Sequence, residues 1–305
     1  MLSKTLQEVG SLTYTKIQCG IIIIIFFIEF IWIKFSSITF NYSIGFAGFQ
    51  LILSLLFFLS YKLYQKFRPI PEIVILLRTA FVVFSYSPFA LILTYLVTTT
   101  NQPYIDSSLA SIDEYFFVYT PSIIFWFKDH NLWNLFFLLI YDTYYIQFAF
   151  VLLYFSFYRE GIVLQRFVMQ FMIASILTSL ISNFFPAAGV YVWYDYTPSD
   201  LVVSALNHLQ ELRHNILDIT KIDGIVSLPS FHAVMAFIYI YVFRNERKII
   251  FLPILILNSL MIFSCLPIGF HYFADILGAV PVFLATIGID QLIFKGVKKY
   301  GTLES

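Results

Sequence analysis

Apolar runs long enough to cross a hydrocarbon layer recur along this chain, at about 17–37, 43–64, 72–99, 132–157, 163–185, 229–243, 249–268 and 274–294. A spanning helix needs roughly 20 apolar residues. Inside a bilayer every backbone N–H and C=O must find its partner within the protein, which leaves helices or a closed barrel. Continuous runs rather than alternating ones select helices. The fold class read from this pattern is all-α: a polytopic integral-membrane helical bundle of about eight transmembrane helices. The composition agrees. Of 305 residues 60% are hydrophobic and only 12% charged, with a mean hydropathy of +0.83, whereas a soluble domain is about 25% charged.

The turns between the runs alternate in charge. Lys4 and Lys16, then Lys62, Lys66 and Arg68, then Arg159 and Arg166, then Arg244, Arg247 and Lys248, then Lys295, Lys298 and Lys299 mark one side. These are 13 of the 18 basic residues. Basic residues collect on the cytoplasmic face, which predicts cytoplasmic termini. Two long connections, about 100–131 and 186–228, lie on the other side and hold Asp106, Asp113, Glu114, Asp129, Asp195, Asp200, Glu211, Asp218 and Asp223. Within them, Leu109 to Phe127 reads as an interfacial helix. Leu201 to Leu217 has helical spacing and is expected to fold over the outer face. The run Ile21 to Ile33 follows Lys16 without a small-residue cleavage site, so it is kept as a span rather than a signal peptide. Cys19 and Cys265 fall in apolar stretches and read as small buried hydrophobes, not as a disulfide. The formal net charge is zero, which argues against a nucleic-acid partner. No internal repeat divides the chain. It is read as one domain, with residues 1–70 supplying two N-terminal helices beside a six-helix core over 71–305.

Two histidines occupy mirrored positions around a basic hinge, Arg244 to Lys248. One lies in Pro229-Ser230-Phe231-His232 and the other in Gly269-Phe270-His271-Tyr272-Phe273-Ala274-Asp275. A hinge that turns the chain round brings both imidazoles and a carboxylate to one bilayer surface. Pro229 is tolerated in a first helical turn, which places Ser230 and His232 at a helix N-terminus suited to a phosphate. A histidine there can protonate a leaving oxygen; the plainer alternative is a capping serine beside an interfacial histidine. Asp275 lies four residues after His271, a spacing that puts both on one helical face. A carboxylate on one ring nitrogen fixes the tautomer and makes the other nitrogen more basic and nucleophilic. The alternative for Asp275 is a helix N-terminal acid.

With these residues in place, the chain resembles the type 2 phosphatidic acid phosphatase superfamily over about residues 105–290. The superfamily's Pro-Ser-x-His block is matched by Pro229, Ser230 and His232. Its later block is matched by Ser264, Gly269, His271 and Asp275. Phe231 and the His-Tyr-Phe-x-Asp run look most like the inositolphosphotransferase branch, the inositol phosphorylceramide synthase-like proteins. Members of that branch also carry a Pro-Ala-Ala-Gly stretch, as at Pro186 to Gly189, and a Leu-Arg, as at Leu212-Arg213. The resemblance implies a membrane lipid as substrate and no metal or other cofactor; the charge alternation puts the site on the extracytoplasmic face. His271 would attack phosphorus, Asp275 would orient it, and His232 would protonate the leaving alcohol. Two features depart from the pattern. Cys265 stands where the superfamily has Arg after Ser264, and Phe185-Pro186 stands where it has Arg-Pro. Arg213 is the favoured phosphate ligand in their stead, since Arg can clamp phosphate with two donors; Lys221, Lys128, His208 and His214 are the other outer candidates, and Ser230, Ser264 and Gly269 complete the expected binding set.

Other classes make different demands. A transporter or channel with a His/Asp proton relay needs a polar path through the bilayer, and only Glu29 and Asp142 are read as mid-membrane charges. A metal held by His232, His271 and Asp275 would want a further ligand and a second shell, and no additional cluster is evident.

Overall fold

The computed structural model describes residues 4–41, 45–158, 161–195 and 200–301; Arg159 lies outside the described residues. The chain is nearly all-α, and a helix stands at each of the eight apolar runs. These are α1 (Lys4–Phe35), α2 (Phe46–Phe67), α3 (Pro71–Thr98), α6 (Asn131–Tyr158), α7 (Gly161–Phe184), α10 (Phe231–Phe243), α11 (Lys248–Ser264) and α12 (Phe273–Gly301). Five of them, α1, α3, α6, α7 and α12, are long and apolar enough to cross a membrane. At 13 and 17 residues, α10 and α11 are apolar but shorter.

Between the long helices lie α4 (Asp106–Tyr115), α5 (Thr120–Asp129), α8 (Val190–Trp193) and α9 (Asp200–Arg213). Two local expectations change here. The Leu109 to Phe127 segment is not one helix but α4 and α5, broken where Phe117 takes a left-handed φ of 57°. Leu201 to Leu217 is helical only as far as Arg213, after which Asn215 turns the chain with φ 61°. After it, β2 (Ile216–Asp218) pairs in parallel with β1 (Thr39–Asn41), in the register Phe40 to Leu217. This small ladder ties the segment after α1 to the connection that follows α9, a long-range pairing that three-residue strands do not announce in sequence.

The bundle centres on α7, which packs against α1, α3, α6, α10 and α12. Phe155, Phe167, Met172, Tyr239 and Phe243 are almost wholly buried at its middle. Hydroxyls stitch α3 to α7: Thr94 pairs with Ser179 at 2.8 Å, and Thr100 donates to Asn183 at 2.6 Å. Such interhelical bonds are each worth about 0.6–2 kcal/mol in a membrane.

The spans also hold more charge than Glu29 and Asp142. Arg78 is buried in α3 and donates to Ser11 of α1. Asp290 is fully buried in α12, where it accepts from Arg166 Nε at 3.0 Å, Gln170 Nε2 at 2.9 Å and the Tyr14 hydroxyl at 3.2 Å. An isolated mid-membrane carboxylate is costly, and this one is paired as such groups must be. The network joins α1, α7 and α12, so the first helix is bonded into the bundle.

Candidate active site

Helix α10 begins as its sequence directs. Ser230 is the N-cap, with extended backbone (φ −66°, ψ 110°) and an Oγ that accepts the Ala233 N–H at 3.4 Å. Serine is favoured there because its oxygen satisfies an N–H that the helix cannot. Pro229 therefore precedes the cap rather than opening the first turn. His232 is the second helical residue, and no acceptor among the described residues takes the backbone N–H of Phe231 or His232.

The second block is a turn rather than a helical face. Gly269 takes φ +88°, and a Cβ there would fall 2.8 Å from Cζ of Tyr191. Both the backbone angle and the tyrosine require glycine. His271 lies ahead of α12, not within it. Asp275 is the third residue of α12, and its Oδ2 reaches back to accept the Tyr272 N–H at 2.9 Å. That is the carboxylate half of a capping box, which explains the four-residue spacing without a helix under His271. A Gly269→Ala variant should unfold at a lower temperature in detergent, because left-handed backbone costs a non-glycine roughly 1–2 kcal/mol and the Tyr191 clash adds to it. Adding Tyr191→Ala should restore only part of the lost stability; full recovery would show that the steric contact alone matters.

The His271 ring is fully specified. Its Nδ1 lies 3.1 Å from the Ser227 carbonyl and 3.2 Å from Asp275 Oδ2. A carbonyl can only accept, so Nδ1 holds a proton, and in the neutral ring it is Nε2 that holds the lone pair. Nε2 sits 3.3 Å from Ser230 Oγ, which donates to it at rest. Asp275 is itself anchored: Oδ2 also accepts the Ser227 hydroxyl at 2.7 Å, and both residues are buried. The cap serine of one helix and the cap carboxylate of the other thus hold the imidazole between them. His232 is half-buried and its ring stacks on Tyr141, with centroids 3.8 Å apart at 22°, and it lies near Tyr144 at 5.2 Å.

Two acids of α4 hold this assembly; in the sequence they stand simply among the acids of the connection over about 100–131. Asp113 of α4 accepts the N–H groups of Phe273 and Ala274 at 3.0 and 2.8 Å and the Thr120 hydroxyl at 2.8 Å. It caps α12 from across the fold. Burial pushes its carboxyl above the ordinary range, against the pull of those three hydrogen bonds. Asp106 accepts the N–H groups of Ala188 and Gly189 and the Tyr272 hydroxyl at 2.8 Å. The available signal was two acids seven residues apart on an amphipathic segment, which is helical spacing for one inward face.

His232 and His271 line one wall of an open cavity of about 740 Å³ bordered by α3, α6, α7, α9, the start of α10 and the turn at Gly269. Most of its lining is apolar, including Val83, Phe84, Leu91, Phe148 and Phe171. It follows α3 from Tyr95 to Val83, roughly 18 Å of helix at 1.5 Å per residue. The cavity gathers Gly269 with the two histidines, and Ser230 bonds to His271. Asp275 stands behind His271. Ser264 lies apart, buried at the end of α11 with its hydroxyl on the Met261 carbonyl at 2.6 Å. Arg213 lines a small adjoining pocket that shares Ser227 with the cavity. There it donates to the Gln102 carbonyl at 2.9 Å and sits 4.0 Å over the Tyr104 ring. His208 bonds Asp223 at 3.1 Å, and burial lowers its pKa. Among the described residues no group of three or more His, Cys, Asp or Glu is arranged to hold a metal ion.

Comparison with known proteins gives one match. The model of a family described as the PAP2 superfamily covers residues 107–289, which include both histidine blocks and Asp113. No curated protein matches, and no solved structure does.

Proposed function

We propose that this chain, which belongs to the PAP2 superfamily, is a membrane phosphatase or phosphotransferase that acts on a lipid phosphate or phosphodiester through a phosphohistidine. The observation that carries the reading is the state of His271, with Nδ1–H held by a carbonyl and a carboxylate and Nε2 left with its lone pair beside the cavity. Nε2 attacks phosphorus as the bond to the leaving alcohol breaks. His232 gives its proton to the departing oxygen. Water or an acceptor hydroxyl then attacks phosphorus, its proton goes to His232, the N–P bond breaks and His271 is restored. Asp275 stabilises the imidazolium-like ring throughout and does not itself react. A phosphate seated at the wall meets the free N–H groups at the start of α10, a natural anion site. The apolar depth of the cavity suits a lipid tail.

The likeness of the two histidine blocks to inositolphosphotransferases supports a phosphodiester donor and head-group transfer. So does the scarcity of basic side chains at the wall, since a diester carries less negative charge than a monoester. Charge alternation along the chain supports an extracytoplasmic site with cytoplasmic termini: a single cysteine at Asn245, in a background lacking Cys19 and Cys265, should label only from the cytoplasm. The reading is tested with lipids labelled in phosphorus. Label should appear on the protein in a form stable to alkali and lost in acid, then pass to water or to an added hydroxyl acceptor. Turnover without protein-bound label under rapid quench would exclude the covalent route.

A further inference from the structure

We propose that the donor lipid's head group is cationic, an amine or quaternary ammonium phosphodiester, read by Asp142 and the tyrosines beside it on α6. This rests on the lipid-phosphodiester reading above and names its substrate class.

The argument begins with charge. Two carboxylates, Asp142 and Asp223, line the cavity along with the two histidines, and among the described residues lining it there is no Lys or Arg. Asp223 is satisfied by His208. Asp142 lines the cavity, is exposed, and has no hydrogen-bond or ion-pair partner among the described residues. Arg213 does not compensate it, being occupied by the Gln102 carbonyl and the Tyr104 ring in the adjoining pocket. A carboxylate at membrane depth without a partner is costly, and such residues mark substrate paths. A substrate phosphate would add a second negative charge. A net-negative lipid therefore enters this cavity against repulsion, whereas a zwitterionic one brings the missing cation.

The neighbours of Asp142 fit that cation. Tyr144 and Tyr145 line the cavity with ring centroids 5.0 Å apart and planes at 81°, so two aromatic walls meet in a corner. Ring faces attract cations, and aromatic cages with a nearby acid recognise alkylammonium groups. The site is also at the right place along the chain. Tyr141, the residue before Asp142, stacks on His232, so Asp142 lies beside the histidine wall. In a choline- or ethanolamine-type diester the ammonium is two carbons from a phosphate ester oxygen, so a phosphate at the histidines leaves the cation on the α6 side. A polyol head group could hydrogen-bond Asp142 but would bring no charge to balance it.

The test uses the full-length protein in detergent micelles with four lipids of one tail composition: choline, ethanolamine, inositol and unsubstituted phosphate heads. The ammonium lipids should give the highest kcat/KM. Asp142→Asn should raise KM for them by roughly 10- to 100-fold, the scale of one lost charge-assisted contact, and alter the other two by less than about threefold. Asp142→Glu should retain part of the preference. Binding of a short-chain phosphocholine, followed by protein fluorescence in wild type and Asp142→Asn, gives a reading independent of turnover. Preference for the inositol or phosphate lipid, or an equal loss for all four in Asp142→Asn, would overturn the inference and leave the enzyme reading intact. Absence of turnover with all four lipids would count against the enzyme reading; the binding arm would then decide this one, with equal phosphocholine affinity in both proteins overturning it.

Discussion

Replacing His271 with alanine should abolish turnover of every lipid and remove the protein-bound phosphoryl label. No other group can take its part. Ser230 lies within hydrogen-bond reach of Nε2, but its hydroxyl would need that same nitrogen as its base. Asp275 is behind the ring, with Oδ2 already accepting from Ser227 and Tyr272. The variant also strands the buried Ser227 carbonyl, at about 1–3 kcal/mol for a group left unpaired, and takes one of its donors from the Asp275 carboxylate. Thermal unfolding in detergent therefore has to accompany the assay. His271→Asn, which can still donate to Ser227 and Asp275 but lacks the nucleophilic nitrogen, separates the two effects: it should remain folded and stay inactive. Measurable turnover by folded His271→Asn would refute the phosphohistidine mechanism.

His232→Ala should slow formation of the covalent intermediate by roughly 10²- to 10⁴-fold, the range for a positioned general acid. The deficit should depend on the leaving group. An alkoxide needs a proton as it departs, while a nitrophenoxide leaves without one. A nitrophenyl phosphodiester should thus be far less sensitive to the substitution than a lipid. If both substrates fall by the same factor, His232 positions the substrate and does not protonate it. Loss of the stacking on Tyr141 is a separate cost, and it would appear in KM for both substrates alike.

Much of this was written in the chain. The eight apolar runs placed the long helices to within a few residues at most ends, because hydrocarbon length and backbone satisfaction leave little choice. Exceptions are instructive. Helix α1 starts as far back as Lys4, where Ser11, Tyr14 and Gln18 make partners of Arg78, Asp290 and Gln165. Polarity there reads as a loop until the partners on α3, α7 and α12 are known. The pairing of His271 with Asp275 was legible from spacing, and Ser230 from its cap position, since each depends on neighbours within a few residues.

What lies across the fold was not. That Asp113 caps α12 is a contact over 160 residues. That the Ser227 carbonyl sets the His271 tautomer depends on a turn meeting a helix start 44 residues away. Arg213 carried the expected charge for phosphate, yet its guanidinium rests on Gln102 and Tyr104 beside the cavity, because a loop residue's direction is set by tertiary contacts and not by its type. Asp142 shows the same division most sharply. Sequence marked it as a charge in an apolar run and could say no more. Only the packing of α3, α6 and α7 left it lining a cavity with the histidines, with no Lys or Arg among the described residues that line it. Local periodicity and capping are fixed by residues adjacent in the chain; the sign of a cavity is a sum over walls that meet only once the helices have packed.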